Sequence, residues 1–224
     1  MRMRRKTNLE ARLVSCAHLL VEEPEALRGS WREAFDYEEL HIELGCGKGR
    51  FITETAKSAP GVFFAALEKS TNVLVTALER ANAQELRNVR FINALADNLA
   101  EYFAPGEVSR VYINFCDPWP ANRRAKRRLT HRRFLEIYKQ ILRPGGEVFF
   151  KTDNLPLFDF SLGEFRDSGF LVEDVNRDLH KGGPTGVMTD YEIKFHSQGL
   201  AIAQCICTIM SNSGRQWHIS HEKT

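Results

Sequence analysis

The stretch that decides the fold of this 224-residue chain is His41-Ile42-Glu43-Leu44-Gly45-Cys46-Gly47-Lys48-Gly49. Its first four residues predict a strand, and residues 51–57 after the glycines predict a helix. Glycines let the backbone turn tightly and let a ligand approach it, and the N-terminus of the following helix attracts anionic groups. The unit predicts a ligand site at the end of the strand, although such a turn alone can also be a simple tight connection.

The spacing of the glycines narrows the choice of ligand. Because position 50 is Arg50, the pattern is Gly-x-Gly-x-Gly and differs from the Gly-x-Gly-x-x-Gly/Ala preferred for dinucleotides. The Gly-Lys-Ser/Thr sequence that phosphate-cradling nucleotide hydrolases need does not follow either.

Two glutamates accompany the glycine turn. Glu43 precedes it, and Glu68 ends the next predicted strand, where a carboxylate can accept hydrogen bonds from both ribose hydroxyls. Together they predict a site for an adenosine-containing ligand without a pyrophosphate, and S-adenosylmethionine is the candidate. The alternatives are that Glu43 is a buried carboxylate paired with a cation and that Glu68 is a solvated strand end. Since carboxylates are rarely buried without a partner, the ligand-facing interpretation is favoured for both.

Strand-like and helix-like patterns alternate from about residue 40, which predicts an α/β fold with a mostly parallel sheet flanked by helices. Residues 1–35 are predicted to be an N-terminal extension with a basic, mobile tip, and residues 36–224 a single domain. Seven strands are expected: Leu40 to Leu44, Val62 to Leu67, Val89 to Asn93, Val108 to Phe115, Glu147 to Thr152, Phe170 to Val175 and Ile202 to Met210.

The helix signals are more local. Ser70 and Thr71 are candidate N-caps for one helix, Thr130 is the candidate for another, and Pro144-Gly145-Gly146 is expected to end the second. Residues 181–187, which are rich in glycine and proline, predict a long loop of the kind that often forms a lid.

A second motif, Asn114-Phe115-Cys116-Asp117-Pro118-Trp119-Pro120, follows a predicted strand. Two prolines at alternate positions cannot continue a hydrogen-bonded ladder, so Asp117 is expected at the carboxyl end of the strand, where ligands bind in open α/β sheets. Trp119 is either a surface on which a base stacks or a core aromatic residue, and the sequence leaves both open.

Positive charge is concentrated directly after this motif. The chain carries only +2 overall, but residues 121–133 contain seven Lys/Arg and no acid, so the rest carries −5. Beside Asp117 and Trp119, this run favours a polyanionic partner over an ordinary solvated face. The seven are Arg123, Arg124, Lys126, Arg127, Arg128, Arg132 and Arg133.

The remaining composition excludes several classes of protein. Five cysteines without a Cys-x-x-Cys pair or zinc spacing predict free thiols in the cytoplasm and no metal site. No apolar run reaches the roughly 18 residues of a membrane helix. Whether the chain is a monomer or a homodimer is left open.

The motifs in their order along the chain resemble those of the bacterial tRNA (guanine-N7-)-methyltransferases, over about residues 29–210. The resemblance is carried by Glu43 to Gly49, Asp117 to Pro120, Lys126-Arg127-Arg128-Leu129, Lys151-Thr152-Asp153-Asn154 and Thr189-Asp190-Tyr191-Glu192. It implies a Rossmann-like class I methyltransferase fold, S-adenosylmethionine as cofactor, tRNA as partner, and methylation of N7 of a guanosine in the tRNA variable loop, at position 46.

The resemblance also implies roles for individual residues. It places Asp117 as the catalytic residue and assigns the donor site to Glu43, Gly45, Gly47, Gly49, Glu68, Leu95 and Asp117. It assigns substrate contacts to Ala121, Arg123, Asp153, Thr189, Asp190, Tyr191 and Glu192. Two positions depart from the family: Leu95 replaces an acidic residue, so only its backbone could contact adenine, and Ala121 replaces a lysine, so Asn122 or Arg123 must supply that contact or it is absent.

Three alternatives remain at this point. The first is an amino-methyltransferase acting on an exocyclic nitrogen, because residues Asn114 to Trp119 are similar to the Asp-Pro-Pro-Tyr element of adenine methylases. Trp119-Pro120 in place of Pro-Tyr argues against it. A tRNA-binding protein without turnover would not need the intact acidic set. A nicotinamide oxidoreductase is disfavoured by Arg50.

Overall fold

The computed structural model describes residues 6–209, and these form one seven-stranded sheet with helices on its faces. Its strands are β1 (Glu39–Leu44), β2 (Val62–Leu67), β3 (Val89–Ile92), β4 (Val108–Asn114), β5 (Leu142–Thr152), β6 (Phe170–Asn176) and β7 (Ala203–Ile209). The order across the sheet is β3-β2-β1-β4-β5-β7-β6. All seven predicted strands are present, and their starts and ends agree within two residues except at the start of β5.

The direction of the strands confirms the mostly parallel sheet. β1 to β5 pair in parallel, whereas β7 is antiparallel to both β5 and β6. The strand order reverses between β1 and β4, and ligands bind outside the carboxyl ends of the strands at such a switch point. Glu43 lies near the carboxyl end of β1, and Asp117 follows the carboxyl end of β4.

Eight α-helices occur among residues 6–209. They are α1 (Leu9–Ser15), α2 (Trp31–Phe35), α3 (Arg50–Ser58), α4 (Thr71–Ala83), α5 (Leu99–Tyr102), α6 (Arg132–Ile141), α7 (Leu155–Asp167) and α8 (Asp190–Ser197). They cover two apolar clusters, one on each face of the sheet. Phe63 and Phe64 of β2 are both fully buried, because a central parallel strand is covered on both faces.

Of the predicted helix caps, Thr130 is wrong and Ser70 is confirmed in position. Helix α6 is capped by His131, whose ring accepts a hydrogen bond from the Arg133 backbone amide, and the predicted cap Thr130 is buried against Ser161. Ser70 does occupy the cap position of α4, but its side chain makes no capping hydrogen bond in the described structure.

Strand β5 begins five residues earlier than predicted, since Pro144-Gly145-Gly146 lies within it. Helix α6 already ends at Ile141, and Leu142 then pairs with Val108 before the register shifts to Arg110 opposite Glu147. The bulge absorbs the turn residues, with Gly145 at φ +74°. At the other end of the sheet, Met210 of the last predicted strand lies outside the described residues.

Residues 6–35, the described part of the predicted N-terminal extension, pack on the domain that follows. Trp31 is fully buried, and its indole nitrogen donates to the Tyr102 carbonyl at 2.9 Å. Glu107 accepts hydrogen bonds from the backbone amides of Gly29 and Trp31, both at 2.9 Å. The division of the chain at residue 36 stays a prediction, and the predicted basic tip lies mostly outside the described residues.

Among residues 6–209, no helix combines the length and the apolar character that crossing a bilayer requires.

Candidate active site

A single cleft of about 1030 Å³ opens at the carboxyl ends of β1, β2 and β4. It is as large as a pocket for a drug-sized ligand. Glu43, Glu68 and Asp117 all line it, together with Leu95 and Tyr191. The structure therefore brings together the acidic residues that come from three separate strands.

The glycine turn forms one wall of this cleft. Gly45, Gly47 and Gly49 all have positive φ, which glycine adopts without a steric penalty. A Cβ added at Gly49 would lie 2.5 Å from the Cβ of Ala77, so this glycine lets α3 approach α4. A Cβ at Gly45 or Gly47 would meet no protein atom within 4 Å, which leaves the backbone there open to a ligand.

Glu43 has a buried carboxylate that is only partly satisfied. Its side chain is only 2% exposed, and Oε1 accepts a hydrogen bond from Asn114 Nδ2 at 2.9 Å. Oε2 has no hydrogen-bond partner among the described residues. Burial raises the pKa of Glu43 to about 7, against the smaller opposing effects of Asn114 and of the Lys151 charge. A cationic group bound here would satisfy the free oxygen and favour the ionised form.

Glu68 fastens the glycine turn to β2. Its Oε2 accepts from the Gly47 amide at 3.1 Å, and its Oε1 accepts from the Ser70 amide at 2.8 Å. Each carboxylate oxygen has two lone pairs, so both can accept a further hydrogen bond from a diol.

Asp117 lies beyond the end of β4. Phe115 before it adopts φ +53°, an uncommon conformation for a residue with a side chain, and this turns the chain out of the strand. The Asp117 side chain is 66% exposed, and its Oδ2 lies 3.7 Å from Lys69 Nζ. The carboxylate is therefore accessible from the cleft and is paired only weakly.

Trp119 is half-buried and carries arginines around its ring. Its φ is +40°, and its carbonyl accepts a hydrogen bond from Arg128 Nη2 at 3.1 Å, while Arg128 Nε binds the Pro118 carbonyl at 3.0 Å. The guanidinium carbons of Arg127 and Arg124 lie 4.9 and 5.8 Å from the ring centre. Since Trp119 also lines the cleft, it is not enclosed in the core, and its role as a stacking surface stays a prediction.

The basic run divides into two groups. Arg128 is buried against its own loop, Arg132 pairs with Glu164 at 2.8 Å, and Arg133 pairs with Asp97. The other four are exposed and make no ion pair within residues 6–209: Arg123, Arg124, Lys126 and Arg127. A free cationic surface of four side chains is therefore located beside Trp119.

The predicted substrate residues do not all meet at the cleft. Thr189, Asp190 and Tyr191 line it, whereas Ala121, Arg123 and Asp153 are exposed outside the set of lining residues. Glu192 is fully buried and forms a capping box with Thr189 at the start of α8.

Several residues near the site were missed by sequence reasoning. Asn114 holds Glu43, Lys69 contacts Asp117, and Lys151 and His180 bind Glu192. The position of Lys151, inside the motif Lys-Thr-Asp-Asn at the end of β5, was a usable signal. The sequence around His180 carries none, because its partner lies in another element.

Comparisons with known proteins agree with this fold. A crystal structure of the 16S rRNA methyltransferase KamB superposes with a TM-score of 0.63 at 16% identity, covering 82% of this chain and 94% of that one. A family model described as "Putative methyltransferase" matches residues 37–205. The architecture is that of a class I methyltransferase.

Closer relatives define the family within this class. The tRNA (guanine-N(7)-)-methyltransferase of Geobacillus kaustophilus (strain HTA426) is 45% identical, and that of Geobacillus thermodenitrificans (strain NG80-2) is 44% identical, each over 207 residues. The alignments cover 92% of this chain and 95% and 96% of the relatives. The chain belongs to the tRNA (guanine-N(7)-)-methyltransferase family.

Proposed function

We propose that this chain uses S-adenosylmethionine to methylate N7 of a guanosine in the variable loop of tRNA. One observation carries the proposal most: Glu43, Glu68 and Asp117 line one cleft, and one carboxylate oxygen of the buried Glu43 has no hydrogen-bond partner among residues 6–209. The names of the relatives support the reaction, and Asp117 with its neighbours in the motif is the proposed catalytic element.

The residues of the cleft fit S-adenosylmethionine. Glu43 would hold its cationic amino acid part, the Gly45 to Gly49 turn would let it approach the backbone, and Glu68 would accept hydrogen bonds from its ribose. The side chain of Leu95 is 55% exposed and lines the same cleft, so the adenine would contact it and the neighbouring backbone. When bound, the cofactor supplies an electrophilic methyl group on a sulfonium.

The chemistry at the guanine asks little of the protein beyond positioning. N7 carries an exposed lone pair, so no proton has to be removed before it is methylated. Correct alignment of reacting groups can contribute roughly 7 to 11 kcal/mol toward lowering a barrier. A dedicated general base is therefore unnecessary.

Asp117 is the residue proposed to stabilise the charge that develops during methyl transfer. Positive charge develops on the guanine as N7 is methylated, and a nearby carboxylate stabilises it. The same carboxylate can accept hydrogen bonds from N1 and N2 of the base. Because its contact with Lys69 is weak, an incoming base can displace that lysine.

The cationic surface beside Trp119 would bind the RNA backbone. If its four exposed side chains, Arg123, Arg124, Lys126 and Arg127, reach phosphates, log affinity should fall with log salt concentration at a slope of roughly −3. Trp119 itself would offer its ring to a base lifted from its stack, beside the guanidinium groups of Arg124 and Arg127.

Labelled methyl incorporation into paired tRNA transcripts tests the proposal. One transcript carries the variable-loop guanosine and the other has it replaced, and label is expected only in the first. Digestion and mass spectrometry should then identify 7-methylguanosine. Equal labelling of both transcripts would refute the target, and a methylated exocyclic nitrogen would favour the amino-methyltransferase alternative.

Asp117→Ala provides the matched catalytic test. Methyl transfer should fall by at least about a hundredfold, the range seen when a charge-stabilising group is removed. Binding of tRNA, measured by filter retention, should stay within about threefold, because the phosphate contacts that dominate affinity are unchanged. A tRNA-binding protein without turnover would show no transfer in either form.

We place the chain in the cytoplasm, where its substrate tRNA is found. All five cysteines are free thiols, as a reducing compartment requires: Cys16, Cys46, Cys116, Cys205 and Cys207.

A further inference from the structure

A buried ionic cluster lies behind the cleft, and it is centred on Glu192. Its Oε1 accepts hydrogen bonds from Lys151 Nζ at 3.0 Å and from His180 Nε2 at 3.2 Å. Its Oε2 accepts from the Thr189 backbone amide at 2.8 Å, and Thr189 Oγ1 in turn accepts from the Glu192 amide at 2.9 Å. Glu192 is 0% exposed, so no part of its carboxylate faces the solvent or the cleft.

The cluster joins three separate parts of the chain. Lys151 comes from the end of β5, His180 from the long loop after β6, and Glu192 from the first turn of α8. His180 also fixes its own loop, because its Nδ1 accepts from the Thr185 amide at 3.2 Å. A buried carboxylate with this set of partners ties the loop and α8 to the sheet.

The same helix reaches the cleft with the residues next to Glu192. Asp190 pairs with Arg80 at 3.1 Å and lies 3.8 Å from Arg50, which starts the helix behind the glycine turn. Tyr191 is 61% exposed, and its ring lies nearly parallel to that of Phe115, with 6.2 Å between centroids. Helix α8 is therefore held from the inside by Glu192 and from the cofactor side by Asp190.

We propose that Lys151 and His180 are positioning residues, which fix Glu192 and thereby hold the Tyr191 ring at the cleft mouth as a stacking surface for the substrate nucleotide. This inference rests on the proposed function and deepens it. Thr189 and Glu192 then serve the substrate through α8, in place of the direct contacts that the family resemblance implies for them. Tyr191 and Asp190 are the members of the segment that remain accessible from the cleft.

Burial supports this division of roles. Glu192 already accepts hydrogen bonds from the Lys151 ammonium, the His180 ring and the Thr189 amide. A substrate could reach it only after α8 had left the sheet. Tyr191 and Phe115, by contrast, form an aromatic pair at the opening, extended by Phe195 at 5.9 Å from Tyr191. Aromatic faces of this kind bind unstacked bases without requiring a particular hydrogen-bond pattern.

The decisive variants are His180→Ala and His180→Gln, made in the full chain. His180→Ala should raise the KM for tRNA about tenfold or more, since small displacements of positioning groups cost up to a hundredfold. The dissociation constant of S-adenosylmethionine, measured by calorimetry, should change less than about twofold, because His180 does not line the cleft. His180→Gln keeps a side-chain donor and should restore most of the loss.

A double-mutant cycle with Tyr191→Ala separates positioning from a general structural role. If His180 acts through Tyr191, adding His180→Ala to the Tyr191→Ala variant should raise the KM by less than about twofold more. Fully additive losses would overturn the proposal. So would an unchanged KM in His180→Ala, or a parallel loss of cofactor binding and tRNA binding.

Hydrogen exchange of the unliganded protein gives a readout that does not depend on activity. In His180→Ala the amides of α8 should exchange faster, while those of β1 and β4 should not change. If wild type fails to methylate tRNA, the proposed function is refuted even when this exchange pattern is found. If wild type methylates tRNA but α8 is unaffected, the positioning role alone is refuted.

Discussion

Glu43 and Glu192 are both buried glutamates near one cleft, but they differ in how completely their carboxylate oxygens are hydrogen-bonded. Glu192 has a partner for each oxygen, supplied by Lys151, His180 and Thr189. Glu43 has one partner, Asn114, and a free oxygen. Removing a partner from a buried carboxylate whose hydrogen bonds are complete destabilises the fold, whereas a buried carboxylate oxygen without a partner already reduces stability and can gain a partner from a ligand. The two residues therefore differ in the role proposed for each: Glu192 holds the structure of the site, and Glu43 binds the cofactor.

Replacing Glu192 should give the largest effect on stability. Glu192→Ala leaves Lys151 buried without its carboxylate, and breaking a buried pair in this way costs about 3 to 5 kcal/mol in unfolding free energy. Urea unfolding followed by circular dichroism measures it. A loss below about 1 kcal/mol would mean that Glu192 is not the anchor of α8, and the comparison would fail. Glu136→Ala, at an exposed position of α6, is the control and should be nearly neutral.

Glu43→Gln should move stability in the opposite direction. Because the folded-state pKa of Glu43 is raised to about 7, its carboxyl destabilises the unliganded fold increasingly as the pH rises from about 4.5 to 7. Glu43→Gln removes this pH-dependent destabilisation. The variant should therefore exceed the wild type in unfolding free energy by about 3 kcal/mol at pH 8 and match it near pH 4. Cofactor binding should be lost in the same variant. Equal stability of the two proteins at pH 8 would contradict the free carboxylate.

Cofactor affinity should depend on pH through the same group. A cationic ligand favours ionised Glu43, so below about pH 7 binding must release a proton, and affinity should rise up to tenfold per pH unit before it levels off. Calorimetry in buffers of different ionisation enthalpy should detect this proton release near pH 6. A flat profile would remove Glu43 as the ligand-linked group.

The smallest effects are expected in the basic run, where exposed Arg123 and buried Arg128 differ in the same way, one free to bind and the other occupied by the fold. Arg123 is exposed and without an ion pair among residues 6–209, so Arg123→Ala should lower the magnitude of the salt slope of tRNA binding by roughly 0.7 to 0.9. Arg128 is buried against the Pro118 and Trp119 carbonyls, so Arg128→Ala should reduce thermal stability and disturb the loop of Asp117. If the two substitutions change the slope equally, the division of the run is wrong.

The sequence predicted the parts of the fold that depend on local pattern. Runs such as Val62 to Leu67 define buried strands on their own, and the glycine turn defines where β1 ends. Asp117 and Glu43 could be placed near each other because Glu43 lies near the end of one parallel strand and Asp117 follows another, and the carboxyl ends of such strands meet at one edge.

Side-chain pairing over long distances in sequence was not predictable. Lys151 and Glu192 are 41 residues apart, and nothing local to either indicates the other. The early start of β5 was missed because Pro144-Gly145-Gly146 is typical of a turn, and a bulge between paired strands has the same composition. Arg128 could not be separated from its exposed neighbours, since its inward direction is set by carbonyls of the preceding loop.

The short bridge between Leu20 and Phe91 affects the behaviour of the whole molecule. The backbone amide of Val21 donates to the Phe91 carbonyl at 2.9 Å, so the residues ahead of α2 cover part of the outer edge of β3. Exposed outer strands recruit strands from other molecules and promote aggregation. A chain shortened to begin after Val21 would expose this edge and should self-associate at concentrations where the unshortened chain does not.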